Sequence, residues 1–308
     1  MSSFRAKLIN TGLRLTVKPF LLTFPINKKS LFYPRLLINS LGQLVPNAKN
    51  TSVRPFYIDD IPCEWVSCNS YDPSENEKTK VILYLHGGGY IVGSPKTHRQ
   101  ITSRLALMTG ARVLAVDYRK GPDHLYPAAH HDALTAYSWL LKKGYISKNI
   151  AIVGDSAGGN LSIGLSIILR DKGMSQPAAL GLMSPWTNMS ATFNSNYDNR
   201  KTDPYLPYKR LKEAARLYAG NKPLNDPMLS PVFADLNNLP PTIIHCSNIE
   251  IIMDDSKEFA KSSISYGNTV ELKIFDGVPH VWQFFNIYLP EAYESLREIS
   301  DFLIKHWE

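Results

Sequence analysis

Apolar positions along the chain follow two different periods. Short apolar runs bounded by turn residues are typical of buried strands, whereas apolar positions three and four residues apart are typical of helices. The first pattern predicts strands over Val53–Ile58, Ile61–Cys68, Lys80–Leu85, Ala111–Val116, Asn149–Val153, Ala179–Met183, Thr242–Cys246 and Val270–Phe275. The second predicts helices over Thr97–Thr109, Ala128–Lys143, Ala157–Lys172, Lys209–Ala219, Ser256–Tyr266 and Glu291–Lys305. Because strands and helices alternate, we expect an α/β fold whose mostly parallel sheet is covered on both faces.

Three features add to this alternation. Only Asp59 and Asp60 separate the first two strands, so these strands are predicted to form an antiparallel hairpin. Residues 1–50 precede the hairpin as an arm, and residues from about 185 to 225 form a polar and aromatic insertion. We therefore expect one domain over residues 51–308, with a cap made from the arm and the insertion.

The net charge of +7 comes from the arm. Residues 1–50 contain eight Lys and Arg and no Asp or Glu, whereas the rest of the chain is close to neutral. Nucleic-acid binding is therefore not indicated. The three cysteines, Cys63, Cys68 and Cys246, are too few for a disulfide framework and lack zinc-ligand spacing. We expect reduced thiols, no metal and a cytoplasmic protein.

The arm has the pattern of a basic amphipathic helix. At about 100° per residue, Lys7, Arg14 and Lys18 fall on one side, and seven apolar residues between Phe4 and Phe20 occupy most of the opposite arc. Charged residues interrupt the segment, so neither a signal peptide nor a membrane span is predicted. Two interpretations stay open: a cap helix that packs its apolar side over the functional site, or a weak contact with a membrane surface.

The sequence Gly154-Asp155-Ser156-Ala157-Gly158 lies between a predicted strand and a predicted helix. A G-x-S-x-G match alone is a weak signal, but this position is that of a nucleophile elbow, where a sharp turn lifts the serine above the sheet. Glycines on both sides permit the tight backbone of such a turn. Ser156 is therefore predicted to be a catalytic nucleophile, and a glycine-rich helix start without chemistry is the alternative.

The sequence His86-Gly87-Gly88-Gly89 directly follows the strand Lys80–Leu85. Consecutive glycines let backbone N–H groups turn towards one point, as the stabilisation of a tetrahedral oxyanion requires. We predict that the N–H groups of Gly88, Gly89 and Ala157 form this oxyanion hole. A phosphate-binding loop is not indicated, because no Lys-Ser/Thr pair follows at the required spacing.

A base and an acid follow in the order that the elbow fold requires. His280 comes after the last predicted strand and Glu250 after the strand before it, so the chain order is serine, acid, histidine. Asp254 is the alternative acid, but its position favours the first turn of the next helix, where carboxylates are stabilised. Either carboxylate can orient the imidazole, and we favour Glu250.

Taken together, these residues resemble the hormone-sensitive-lipase-like esterases, which include bacterial carboxylesterases. The matching blocks are HGGG at His86–Gly89, DYRKGPDHLYPAA at Asp117–Ala129, GDSAGGN at Gly154–Asn160 and the pair Glu250 and His280. Most members have Asp as the acid; Glu250 and the basic arm are similar to a branch of monoterpene lactone hydrolases. The resemblance implies an α/β-hydrolase fold with an eight-stranded sheet and a helical cap, and no cofactor.

The expected function is hydrolysis of a small-molecule ester by a Ser-Glu-His triad. Aromatic residues close to the serine favour short- to medium-chain acyl groups, and the candidate pocket walls are Tyr90, Trp186, Tyr205 and Trp282. A lactone hydrolase is the first alternative, because the same triad serves both bonds. A non-catalytic small-molecule receptor on the same fold is the second, although such receptors lack the base that His280 supplies here. The oligomeric state is left open, with a homodimer as one option.

Overall fold

The structure is a computed structural model that describes residues 2–23, 26–27, 30–33, 35–36, 40, 46–70 and 80–307. Its strands are β1 Thr51–Ile58, β2 Ile61–Cys68, β3 Val81–Leu85, β4 Arg112–Val116, β5 Ile150–Asp155, β6 Ala179–Met183, β7 Thr242–Ser247 and β8 Val270–Phe275. Its α-helices are α1 Phe4–Leu15, α2 Val17–Thr23, α3 Arg99–Thr109, α4 Ala128–Lys142, α5 Ala157–Asp171, α6 Ser195–Asp198, α7 Tyr208–Ala219, α8 Met253–Ser265 and α9 Pro290–His306. The predicted α/β fold is confirmed.

The strands form one eight-stranded sheet in the order β1-β2-β4-β3-β5-β6-β7-β8. The hairpin β1–β2 and the pair β2–β4 are antiparallel, and the other pairs are parallel. From β3 the chain continues to β4 on one side of that strand and later to β5 on the other. At such a reversal the carboxyl ends of neighbouring strands border a crevice where ligands bind.

The central strands are buried on both faces, which explains their continuous apolar runs. Every residue of β3, β5, β6 and β7 is buried, and so is most of α5, which packs against them. The edge strand β8 is only partly covered. Residues that follow the central strands therefore start from rigid positions.

Residues 4–23 of the N-terminal arm form two helices instead of the single helix that their periodicity suggests. α1 ends at Leu15 and α2 begins at Val17, with Thr16 as the break. Pro19 explains the break, because proline has no N–H to donate and its ring collides with the carbonyl one turn earlier. No helix in the described ranges has the length and apolar character that crossing a bilayer would require.

The arm is tied to the body of the molecule by hydrogen bonds. The backbone N–H of Ser3 donates to Glu291 at 2.8 Å, and the amide of Asn10 donates to the carbonyl of Gly277 at 2.8 Å. Arg14 and Lys18 donate to backbone carbonyls between residues 200 and 203 of the insertion. The arm therefore contacts both the insertion and the loop that precedes His280.

Only part of the apolar side of α1 packs against the body of the molecule. Ala6 is fully buried, and Ile9 packs against a small cluster that contains Trp282. In contrast, Phe4, Leu8 and Leu15 are exposed to solvent. The apolar arc of α1 is wider than the contact that the body of the molecule offers, so only one side of it is covered.

Candidate active site

Ser156 occupies the turn between β5 and α5. Its backbone has φ 52° and ψ −119°, a left-handed conformation that a non-glycine residue adopts only where the surroundings hold it. The N–H of Ser156 donates to the carbonyl of Met183 at 2.8 Å, and its carbonyl accepts from Trp186 at 3.0 Å. A Cβ on Gly158 would lie 1.9 Å from the carbonyl oxygen of Leu85, so only glycine fits there. The turn leaves the Ser156 side chain partly exposed.

Three side chains that are far apart in the sequence meet above the sheet. His280 Nε2 lies 3.0 Å from Ser156 Oγ, and His280 Nδ1 lies 2.5 Å from Glu250 Oε2. A carboxylate only accepts, so Nδ1 carries a proton and Nε2 is left to accept the hydroxyl proton of Ser156. The serine, the base and the acid named from the sequence are thus brought into one hydrogen-bonded line.

Glu250 is held by groups that sequence reasoning did not identify. Its second oxygen, Oε1, accepts from the hydroxyl of Ser184 at 3.0 Å and from the N–H of Ser247 at 2.8 Å. Its backbone carbonyl accepts from Asn199 in the insertion at 2.9 Å. Because Glu250 is fully buried, these donors are what allow a carboxylate to stay there. Ser184 follows β6 directly, and that position was the only signal in the sequence.

Asp254, the alternative acid, faces another part of the molecule. Its carboxylate accepts from the N–H of Ser195 at 2.8 Å and pairs with Lys257 at 3.3 Å. It lies in the first turn of α8, as its position in the sequence predicted. The carboxylate that contacts His280 is therefore that of Glu250.

The glycine run after β3 lies against the turn that carries Ser156, where the N–H of Gly87 donates to Asp155. Gly88 has φ 114°, and a Cβ there would lie 2.2 Å from the carbonyl of Val92, so the loop requires glycine. The N–H groups of Gly88, Gly89 and Ala157 have no acceptor among the described residues. Ala157 is also the first residue of α5, whose N-terminal end carries positive partial charge. Both glycines are partly exposed, so a substrate oxygen can reach them.

Asp155 ties this loop to the nucleophile turn, a role that sequence reasoning missed. Its Oδ1 accepts from the hydroxyl of Tyr84 at 2.6 Å and from the N–H of Gly87 at 3.0 Å, and its Oδ2 lies 3.3 Å from His98 Nε2. Burial by itself would raise the pKa of Asp155, but His98 and Tyr84 hold it below the ordinary value. His98, which had no predicted partner, therefore belongs to this network.

His86 braces the same loop through its ring. Its Nδ1 donates to the carbonyl of Gly87 at 2.7 Å, and the ring stacks on Tyr118 with centroids 4.3 Å apart. Burial lowers the pKa of His86 to about 4, despite the neighbouring Asp117. The ring is therefore neutral near pH 7.

Of the predicted pocket walls, Tyr205 is the one that faces the triad. It is partly exposed, and its ring lies 6.0 Å from that of His280 at an angle of 21°. The N–H of Tyr205 donates to Asp203, a fully buried carboxylate that also accepts from Ile251, the neighbour of Glu250. Burial raises the pKa of Asp203. The insertion is thus fastened to the loop that carries the acid.

The other three wall residues are corrected by the structure, because all are fully buried. Tyr90 donates to Asn160 at 2.7 Å and stacks on Tyr218 at 4.0 Å, so it supports the glycine loop from inside. The indole of Trp282 donates to the carbonyl of Glu291 at 3.1 Å and packs against Phe275. Apolar aromatic residues near a motif are as well suited to the core as to a pocket, and burial decides between the two.

Trp186 and the three cysteines are the remaining residues for which an expectation follows from the sequence. Trp186 follows β6, and its backbone, not its ring, contacts Ser156. The cysteines are free thiols, with Cys63 and Cys246 buried and Cys68 partly exposed. Within the described ranges, no three His, Cys, Asp or Glu side chains are arranged to hold a metal ion.

His245 lies in β7 away from the triad and provides a test of the buried core. Burial lowers its pKa to about 3, so at pH values between 6.5 and about 3 the unfolded chain binds a proton that the native state does not. The contribution of His245 to the free energy of unfolding is therefore complete above pH 6.5 and falls by about 1.4 kcal/mol per pH unit below it. We expect the free energy of unfolding of His245→Asn to lack this fall of about 1.4 kcal/mol per pH unit, as measured by urea unfolding between pH 7 and 5. Parallel curves for the two proteins would contradict the burial of a neutral ring.

Comparison with known proteins places this geometry in a family. A family model described as the alpha/beta hydrolase fold matches residues 82–284. An esterase from Acinetobacter venetianus is 33% identical over 270 residues, which cover 87% of each chain. The solved structure of an esterase from the bacterial hormone-sensitive lipase (HSL) family is 33% identical, covers 100% of both chains and superposes with a TM-score of 0.91. The chain belongs to the hormone-sensitive-lipase-like esterases.

Two further relatives of this esterase bear on its chemistry. An acetyl-hydrolase from Streptomyces hygroscopicus is 34% identical over 224 residues, covering 73% of this chain and 75% of the relative. The crystal structure of EstE5 soaked with p-nitrophenyl butyrate is 31% identical, covers 99% of each chain and has a TM-score of 0.90. The esterase described here is accordingly a carboxylic ester hydrolase, and the alternative of a non-catalytic receptor is set aside.

Proposed function

We propose that this esterase hydrolyses short-chain acyl esters through an acyl-enzyme on Ser156. The observation that carries the proposal is the line of two hydrogen bonds from Ser156 through His280 to Glu250, at 3.0 and 2.5 Å. A hydroxyl, a neutral imidazole and a carboxylate in this order are the parts that acyl transfer needs.

In the first half of the reaction, His280 Nε2 takes the Ser156 hydroxyl proton while Oγ attacks the ester carbonyl carbon. The carbonyl π electrons move to oxygen, and the N–H groups of Gly88, Gly89 and Ala157 stabilise that negative charge. The C–O bond to the alcohol then breaks as His280 returns the proton to the leaving oxygen. In the second half, His280 takes a proton from water, whose oxygen attacks the acyl carbon. The bond from that carbon to Ser156 Oγ then breaks as His280 returns the proton to Oγ, and the acid product leaves.

Glu250 keeps His280 in the required tautomer and stabilises the imidazolium that forms in each half. Its two further donors, Ser184 and Ser247, hold the carboxylate so that one oxygen faces Nδ1. The arm and the insertion from about 185 to 225 serve as the cap, through the contacts of Lys18 with Asp203 and of Asn199 with Glu250.

A fluorophosphonate probe tests the nucleophile directly. We expect loss of p-nitrophenyl acetate hydrolysis in parallel with one covalent adduct, found by mass spectrometry on the peptide that carries Ser156. The reason is that only a serine whose proton is removed by a neighbouring base attacks such a probe rapidly. An adduct on any other residue that accounts for the inactivation would overturn the assignment.

Two observations support the proposed preference for short acyl chains. The ring of Tyr205 lies beside that of His280, and the relatives include an acetyl-hydrolase and an esterase soaked with p-nitrophenyl butyrate. We expect kcat/KM to be highest for p-nitrophenyl acetate or butyrate and about tenfold or more lower for the palmitate ester. Tyr205→Ala should raise the relative rate on longer chains, whereas Tyr205→Phe should not. A maximum of kcat/KM at the palmitate ester would contradict the proposed preference. Adding a γ-lactone to the same substrate panel tests the alternative of lactone hydrolysis.

A further inference from the structure

The outward side of α1 carries a line of large apolar side chains. Phe4, Leu8 and Leu15 are 74%, 57% and 72% exposed. Their positions on the helix fall within about 40° of one another at 100° per residue, so they form one stripe along its axis. Single exposed apolar residues are ordinary on a soluble protein, but three large ones on the same side of one helix mark a surface that can bind something.

Basic side chains border this stripe on both sides. Lys7 and Arg14 lie along one edge and Arg5 along the other, by the same helical projection. Arg5 and Arg14 each also donate to a backbone carbonyl of the body, at Tyr288 and at Thr202. With eight basic and no acidic residues in the first 50, the arm has no negative charge of its own to offset them.

The stripe cannot be covered by turning the helix, because the opposite side of α1 is already engaged. Ala6 is fully buried there and Ile9 packs against the cluster around Trp282. The two polar contacts of Ser3 with Glu291 and of Asn10 with Gly277 fix the same orientation. The apolar stripe therefore stays outward in the folded esterase.

We propose that α1 docks this esterase on the surface of an anionic lipid bilayer. An apolar stripe bordered by Lys and Arg matches such a surface, since the apolar side chains enter the acyl boundary while the cations meet the headgroups. α1 has 12 residues, too few to cross the hydrocarbon core, so it would lie in the plane of the interface. A second copy of the chain is a poorer fit, because a two-fold contact would place the two unbalanced basic arms against each other.

Docking at this surface bears on the substrate, and this step rests on the proposed function. Asn10 of α1 holds the carbonyl of Gly277, three residues before His280. Lys18 of α2 holds the carbonyl of Asp203, whose carboxylate binds the N–H groups of Tyr205 and Ile251. The docked arm is thus attached to both loops of the active site, which places the site near the lipid surface.

Vesicle flotation tests the proposal without relying on catalysis. The full-length protein is mixed with phosphatidylcholine vesicles that contain about one quarter phosphatidylglycerol, and with vesicles of phosphatidylcholine alone. We expect it to float with the anionic vesicles, and about tenfold less after Phe4→Ser/Leu8→Ser/Leu15→Ser, because the stripe can no longer insert. Raising the salt concentration should weaken the wild-type binding, because it screens the contact with the headgroups.

A matched control removes three exposed apolar side chains elsewhere, in Tyr57→Ser/Ile146→Ser/Ile264→Ser, each more than half exposed in the wild type. This control should float like the wild type, and both triple variants should hydrolyse water-soluble p-nitrophenyl acetate at the wild-type rate. Absence of wild-type flotation, or equal flotation of the stripe variant, would overturn the proposal. So would a dimer in light scattering that the stripe variant loses. Failure of the proposed function would instead appear as no ester hydrolysis with flotation intact.

Discussion

Ser156→Ala is expected to lower kcat for p-nitrophenyl acetate by about 10⁵-fold or more, the scale of loss when a triad serine is removed. In the proposed mechanism Ser156 Oγ forms the acyl bond, and His280 Nε2 lies 3.0 Å from it. The N–H groups of Gly88, Gly89 and Ala157 stay in place in the variant. Some acceleration over water should therefore remain, from oxyanion stabilisation and substrate binding alone.

The control for this variant is Ser166→Ala. Ser166 lies on α5, the helix that follows Ser156, and its buried hydroxyl has no hydrogen-bond partner among the residues that the structure describes. We expect less than about a twofold change in kcat, since no polar partner loses its bond. If Ser156→Ala keeps a kcat within about tenfold of the wild type, Ser156 is not the nucleophile.

Glu250→Ala is expected to lower kcat by about 10⁴-fold, equal to about 5.5 kcal/mol of transition-state stabilisation. Without the carboxylate, nothing holds the proton on His280 Nδ1 or balances the imidazolium. Asp254→Ala should change kcat by less than about threefold, because that carboxylate pairs with Ser195 and Lys257 and not with His280. The two kcat values, measured side by side, decide which acid belongs to the triad.

Glu250→Gln separates the role of the acid from that of the fold. Ser184 and Ser247 donate to Oε1, so the amide oxygen should take that place and the amide NH₂ should face His280 Nδ1. The imidazole would then carry its proton on Nε2 and could not accept one from Ser156. We expect the glutamine variant to melt close to the wild type and still lose about 10³-fold or more in kcat. A larger loss in Asp254→Ala than in either Glu250 variant would move the acid to Asp254.

The central part of the sheet could be predicted closely from the sequence because its residues are buried on both faces. A run such as Val81–Leu85 has no charged position to confuse its period, and β6 begins and ends at the predicted residues. The arm was harder, since its wide apolar arc does not say which side faces inward. Pro19 and the hydrogen bonds of Asn10 and Lys18 decide that orientation.

The candidate serine turn and the glycine run could also be predicted from the sequence, but the residues that hold them in place could not. A nucleophile turn and a glycine run are local features, each contained in about five residues. Asp155, which joins those two features, is adjacent to Ser156 in the chain, yet its partners Tyr84 and His98 come from other elements. Likewise, the burial of Tyr90 and Trp282 depends on which elements pack over them.

The sequence by itself determined the fold class, the serine, the glycine run, the histidine and the chain order of the three site residues, because each follows from local backbone chemistry or strand period. The tertiary structure alone decided which carboxylate faces His280, which aromatic ring borders the site and which side of α1 faces solvent. These three outcomes depend on distances between residues that are remote in the chain, such as the 2.5 Å between Glu250 and His280. Such distances follow from the packing of whole elements, and no local pattern encodes them.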